Sequence, residues 1–448
     1  MMPPGRGSGA GPAAVATTTD AAFLDALQAD AFAYFAAAGS NGRGLPPDST
    51  AEGAASSVAG VGFALTCFAV AAERGWLARA DAASRTLRML AVLAAAPMGP
   101  DPGAAGYRGF FYHFLDPGTG RRARRSELST IDSTLLFAGA LSAAAYFDRR
   151  DAVEEAIRAA AERLYRRADW RWALAGGPAV SHGWRPGRGF IPYRWTGYNE
   201  ALLLYVLALG SPTYPLGPEH YAAWTHGFRW RRIYGIELLF AGPLFIHQFP
   251  QVWLDLRGIA DPFMRARGID YFENSRRATL LQRDYAARNP RGLAGYGETC
   301  WGFTASDGPG PAVFVREGRA RRFFDYAARG APFGPDDGTL APWAVAASLP
   351  FAPEIVLPTL RALSARPGPD GSPVGLHRTF NPTFPGGHGT PGWVSGRRYA
   401  IHQGPMVIMA ENYRSGLVWR LMRGSPYVRR GLARAGFAPT GGEGAARE

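Results

Sequence analysis

The sequence predicts an all-helical protein built as one domain. Three observations carry this: about a dozen segments whose apolar residues recur at three and four spacing, strand-like alternation confined to short pieces, and no composition break along 448 residues. Helices that each bury one stripe must pair around a common core. A closed ring of six inner and six outer helices would gather alternate loops on one face, and an open helical array is the alternative.

Taken in order, residues 1–20, "MMPPGRGSGAGPAAVATTTD", form a disordered leader rich in Gly, Pro and Ser. Helical periodicity follows over 21–39, 57–76, 79–96, 129–147 and 151–168. The second half continues with "NEALLLYVLAL", "LFIHQFPQVWLDL", "DYFENSRRATLLQRDYAAR", "GTLAPWAVAASLP", "APEIVLPTLRAL" and "GPMVIMAENYRSGLVWRLM". Alternation appears in "GFFYHFLD" and "AVFVREG", which read as short hairpins in loops. Long aromatic- and glycine-rich connections span 98–126, 171–197, 287–315 and 366–403, and loops of that length usually carry function. The domain therefore runs over 21–437, with 438–448 a flexible tail.

The composition, 47% hydrophobic and 12% aromatic, is that of a globular chain. The formal charge is +13, and all 49 basic residues are arginine. They are scattered in short clusters such as "GRRARRS" and "YVRRGLARAG", with no compact nucleic-acid motif, so no nucleic-acid partner is expected. No stretch of ~20 apolar residues is present, so no membrane span is expected. The leader lacks the apolar core of a signal peptide. Cys67 and Cys300 allow one disulfide at most, and His182, His247, His388 and His402 have no zinc-ligand spacing, so neither metal nor organic cofactor is expected.

The informative residues are carboxylates. Glu200 opens "ALLLYVLAL", a run apolar on every face. With Thr196 as cap it lies in a first helical turn, where the dipole favours a negative charge. It also sits among Trp195, Tyr198 and Tyr205, where a carboxyl pressed on aromatic rings becomes a general acid. Asp132 repeats the arrangement in "SELSTIDSTLLFAGAL", either as the acidic end of a Ser129 capping box or as a second site carboxylate. Glu127 reads as a loop residue or a partner of the preceding arginines. Glu298 and Asp307 share the loop "GYGETCWGFTASDGPG" with Trp301. Glu411 reads as a helix residue paired with Arg414. Several carboxylates, few histidines and many loop aromatics form the inventory of glycoside hydrolysis, where one carboxyl protonates the leaving oxygen and another activates water or attacks carbon. Trp195, Tyr198, Trp301 and Trp393 are candidate sugar platforms, with core packing as the alternative for each.

The blocks "SSVAGVGFALTCFAVAAERGW", "SELSTIDSTLLFAGAL", "WTGYNEALLLYVLALGSPT", "YFENSRRATLLQRDYAARNP", "YGETCWGFTASDGPG", "SLPFAPE" and "ENYRSGLVW" resemble, in order, the bacterial glucoamylase-like domain family. That family includes the endo-β-1,2-glucanases of glycoside hydrolase family 144. The resemblance implies an (α/α)6 barrel with its cleft at one end, and inverting hydrolysis of β-1,2-glucan. Glu200 matches the family's essential acidic residue and is the expected general acid. Asp132 matches an acidic block of the same pocket, and the general base lies among Asp132, Glu298 and Asp307. Relatives are commonly exported, which makes a periplasmic or secreted location the expectation, with the cytoplasm as alternative, and a monomer is favoured. The same domain type performs transglycosylation in cyclic β-1,2-glucan synthases, so transfer is a rival to hydrolysis. A non-catalytic glucan-binding protein is a third reading.

Overall fold

The computed structural model describes residues 19–37, 44–316, 319–385 and 392–440. The expected leader up to 18, the tail from 441 and His388 lie outside the described residues. The helices are α1 Asp20–Ala36, α2 Val58–Glu73, α3 Arg79–Ala95, α4 Thr130–Tyr146, α5 Ala152–Arg166, α6 Trp170–Ala173, α7 Leu202–Gly210 and α8 Pro218–Thr225. They continue with α9 Phe245–Trp253, α10 Pro262–Arg265, α11 Tyr271–Arg288, α12 Pro342–Ala347, α13 Pro353–Ser364, α14 Ala400–Arg414, α15 Leu417–Gly424 and α16 Pro426–Arg434. Strands are short and pair in twos and threes. None of the described helices is long and apolar enough to cross a membrane.

Burial sorts the helices into two classes. Every residue of α7 and α12 is buried, and α2, α4, α9 and α14 are nearly so. By contrast α3, α5, α11 and α13 bury one stripe and carry charge on the other, as outer helices do. α2 packs on α4, α3 and α14; α14 on α1, α9 and α12; α4 on α5 and α7; and α7 on α16. The α2/α4 crossing depends on absent side chains. A Cβ on Gly62 would lie 2.3 Å from the Leu135 carbonyl oxygen, and one on Gly139 would lie 2.0 Å from that of Gly62. Any larger residue forces these backbones apart.

Three expectations need correction. The last long periodic segment is two helices, α14 and α15, because Gly416 adopts φ 67° between them. In "GFFYHFLD" the expected short hairpin forms between Gly106–Tyr107 and Phe110–Phe111, but Phe114–Leu115 pairs with the distant Ser56–Ser57. α8 and α16 escaped the periodicity reading; both start on a proline, and α16 hides its apolar stripe among arginines.

The segments before α2, α4, α7 and α14 meet at one end of the helices. Val58 N donates to His113 O (3.0 Å), Thr130 N to His182 O (3.2 Å) and Ala400 N to Asp48 O (2.9 Å). Trp195 Nε1 donates to Thr130 Oγ1 at 3.0 Å, tying the approach to α7 to the start of α4.

Candidate active site

Glu200 stands just ahead of α7, not inside it. The helix begins at Leu202, and the turn before it is organised by Asn199, whose Oδ1 accepts from Ala201 N (3.1 Å) and from Trp224 Nε1 (3.0 Å). Thr196 is therefore not the cap; its carbonyl accepts from Asn199 Nδ2 at 3.3 Å. Burial pushes the Glu200 carboxyl up to about 7; a hydrogen bond within its own residue opposes the rise, and the charge of Asp132 adds to it. A neutral carboxyl near neutral pH is a proton donor.

Asp132 sits in the first turn of α4, where Ser129 is the cap. Ser129 Oγ accepts from Asp132 N at 3.2 Å and donates a short hydrogen bond to Asp132 Oδ2. Ser129 caps the helix, but the carboxylate returns to the Ser129 hydroxyl and not to its backbone N–H, so the box is only half formed; the charge of Asp132 also reaches Glu200. Its other oxygen, Oδ1, faces His113 Nε2 at 3.8 Å. Glu127 lies in the loop before Leu128, as expected, and feels Arg185 and Arg122, but its hydrogen-bond partner is a histidine. It accepts from His113 Nδ1 at 3.0 Å, and that contact holds its carboxyl down at about 2.

Two further groups complete the wall. Asp48 offers its carbonyl to α14, and its carboxyl, raised by burial, is hydrogen-bonded by Ser57 and feels both His113 and Asp132. Asp48 and Asp307 both act electrostatically on Tyr326 and Tyr399, whose rings are 5.5 Å apart. Asp307 is 5% exposed and accepts from Ser395 Oγ at 2.6 Å. The series Glu200, Asp132, His113, Asp48, Tyr326, Asp307 thus spans the ends of several helices. Asp48 in "LPPDST" and His113 in "FFYHFLD" escaped the sequence reading. The one available signal was a lone polar residue inside an aromatic strand-like run.

The remaining candidates part company with this site. Glu298 is exposed and pairs with Arg283 at 3.0 Å, a surface ion pair outside the carboxylate series. Trp301 is fully buried with Nε1 bonded to Thr359 Oγ1 at 3.1 Å, so it has no face for a sugar. Trp195 is 7% exposed and stacked on His182 at 3.9 Å, and it braces the α7 approach. Tyr198 keeps a partly exposed edge while its hydroxyl meets His247 Nδ1 at 3.1 Å. Trp393 pairs with Asn381 beside a cavity of about 270 Å³ that Asp370 and Arg378 also line. His402 stacks on Trp343 and meets Tyr326. Glu411 is fully buried and takes a bidentate contact from Arg74 (2.6 and 2.8 Å), with Arg414 turned instead to Asp25 and Gln28. Cys67 and Cys300 are buried free thiols.

Comparison with known proteins agrees with this architecture. Residues 192–426 match the Glycoamylase family, described as "Putative glucoamylase". A crystal structure from Bacteroides uniformis ATCC 8492 with the same description is 30% identical and superimposes with a TM-score of 0.81, covering 94% of this chain and 98% of that one. The endo-β-1,2-glucanase of Chitinophaga pinensis, solved with sophorotriose and glucose, is 25% identical at a TM-score of 0.80, covering 94% and 99%. The exo β-1,2-glucooligosaccharide sophorohydrolase (non-reducing end) of Parabacteroides distasonis is 27% identical over 455 residues, covering 92% of this chain. The chain spans 58% of the length of that relative. The family match covers Glu200, the α7 turn and the long loops beyond it, and the chain belongs to the Glycoamylase family.

Proposed function

We propose that this protein is a glycoside hydrolase of β-1,2-linked glucan, with residues 21–437 as one catalytic domain and its six most buried helices closed into an (α/α)6 barrel. The carrying observation is Glu200, a half-buried carboxyl whose proton is held to about 7 beside the charge of Asp132. In this reading Glu200 protonates the glycosidic oxygen as the C–O bond breaks. Asp132 takes the proton of a water that attacks the anomeric carbon from the opposite face, giving inversion. Asp132 is preferred to Asp307 as the base because Glu200 feels Asp132 and not Asp307.

Support for the linkage comes from relatives described as β-1,2-glucanases or a sophorohydrolase over nearly the whole of this chain. The test is incubation of the purified protein and its Glu200→Gln variant with linear β-1,2-, β-1,3-, β-1,4- and α-1,4-glucans, with the products resolved. Shortened β-1,2-gluco-oligosaccharides from the unaltered protein alone are expected. Cyclic or lengthened chains would replace hydrolysis by transfer, and undiminished cleavage by Glu200→Gln would remove the acid.

A further inference from the structure

We infer that His113 is a positioning residue of this site: fixed by Glu127 and aimed at Asp132, its imidazolium holds the Asp132 carboxylate in its working place. The inference rests on the reading of Glu200 and Asp132 as the acid and base. Its geometry is independent of that reading.

His113 is anchored at every level. Its backbone N donates to Glu127 O at 2.8 Å, and its backbone O accepts from Val58 N at 3.0 Å, which fixes it between the approaches to α4 and α2. Its ring lies parallel on Phe114, centroids 4.1 Å apart at 9°. The two ring nitrogens then face different carboxylates, Nδ1 toward Glu127 Oε1 at 3.0 Å and Nε2 toward Asp132 Oδ1 at 3.8 Å. A neutral imidazole carries one N–H and one lone pair, and a lone pair turned to a carboxylate is repelled. Nδ1 is hydrogen-bonded to Glu127, and Nε2 faces Asp132 across 3.8 Å without a hydrogen bond, so two carboxylates flank the ring and both favour its cationic form.

The surroundings agree. Burial works against the charge, but Asp132 from α4, Glu127 from the segment before it and Asp48 from the 44–50 segment outweigh it and raise His113 to about 9. Two arginines lie nearby, Arg124 acting on Asp48 and Arg185 on Glu127. Asp132 is thereby held from two sides, by a hydrogen bond from Ser129 on Oδ2 and by the charge of His113 facing Oδ1. A displacement of ~1 Å in a reacting group can cost roughly 100-fold in rate, which is the expected scale of losing one grip.

The experiment has two arms. Histidine-selective NMR of the whole protein, with the His113 signal identified by its loss in His113→Gln, should show a ring that keeps its charge to about pH 9. Asp132→Asn and Glu127→Gln should each lower that midpoint toward the ordinary 6.5. In the second arm, steady-state cleavage of β-1,2-glucan by His113→Gln should show kcat lower by roughly 10- to 100-fold with KM changed by less than about threefold. A His113 signal that titrates near 6.5, or that ignores Asp132→Asn, overturns the inference. So does a variant whose kcat is unchanged and whose thermal stability alone falls. If the unaltered protein cleaves no glucan, the hydrolase reading falls, and the NMR arm still decides whether His113 grips Asp132.

Discussion

Replacing Glu200 by glutamine separates catalysis from stability in a way that tests the site. The carboxyl moves from 4.5 to about 7 on folding, chiefly because burial penalises its charge. Each tenfold change in protonation is ~1.4 kcal/mol, so ionising Glu200 in the folded protein costs about 3 kcal/mol. The sign follows from the raised value. Well below 4.5 the group is neutral folded and unfolded, and no cost arises; between 4.5 and 7 the unfolded chain ionises while the folded one stays neutral, so the cost grows with pH and is complete above 7. Glutamine keeps the shape and never ionises. Glu200→Gln should therefore match the unaltered protein in stability at pH 3.5, and exceed it by up to about 3 kcal/mol at pH 8.5. At the same time cleavage of β-1,2-glucan should fall by roughly 100- to 10,000-fold, as expected for a lost general acid. The assays are denaturant unfolding at the two pH values and reducing-end release. A variant less stable than its parent at pH 8.5 would refute the reasoning, because it would mean that the carboxylate is a favoured charge.

Further outcomes follow from the same geometry. The kcat/KM of the unaltered protein should fall tenfold per pH unit on the alkaline side of about 7, and Asp132→Asn should move that midpoint downward in whatever activity remains, read from pH–rate profiles. Trp301→Ala should cost about 3–5 kcal/mol in denaturant unfolding, since it empties a fully buried site. Glu298→Gln should change stability by less than about 0.5 kcal/mol and leave kcat/KM intact, because its pair with Arg283 is exposed. Asp337→Asn should cost about 3–5 kcal/mol by leaving Arg329 buried without its bidentate partner (2.7 and 2.8 Å), and unfolding curves will show it.

Sequence carried the helices far better than the pocket. α2 and α4 were legible because uninterrupted apolar runs bounded by Ser57 and Ser129 leave no other structure open to them. Glu200 and Asp132 were legible because a charge at the head of such a run needs a reason. His113 was not, since its meaning comes from Glu127, fourteen residues away, and from Asp132 across the start of α4. Trp301 misled for the opposite cause. Glycines around an aromatic suggest an open binding loop, yet here Gly302, at φ 125°, lets the chain approach Ala341 and drive the indole inward. Composition reports which residues a loop holds; only the long-range contacts decide which way each points.

The charge of +13 has a destination that the same contacts explain. Helix ends leave carbonyls without partners, and their partial negative charge favours a cation. This chain meets that demand with arginine. Arg85 donates to Ala36 O at the end of α1, Arg167 to Leu93 O near the end of α3, and Arg158 to Phe147 O and Arg149 O just past α4. Arg430 and Arg434 reach Gly210 O and Leu209 O at the end of α7. Arg194 alone serves Leu174, Ala175 and Ala179 along the approach to Glu200. A guanidinium has five donors in a planar fork and bridges two or three carbonyls at once, which a single ammonium does less well. Arginines spent on carbonyls need no carboxylate partner, so a helix-rich chain can hold a large basic excess without an anionic ligand. The acidic side chains left over are then free to gather elsewhere, as where Asp132, Glu127 and Asp48 act together on His113.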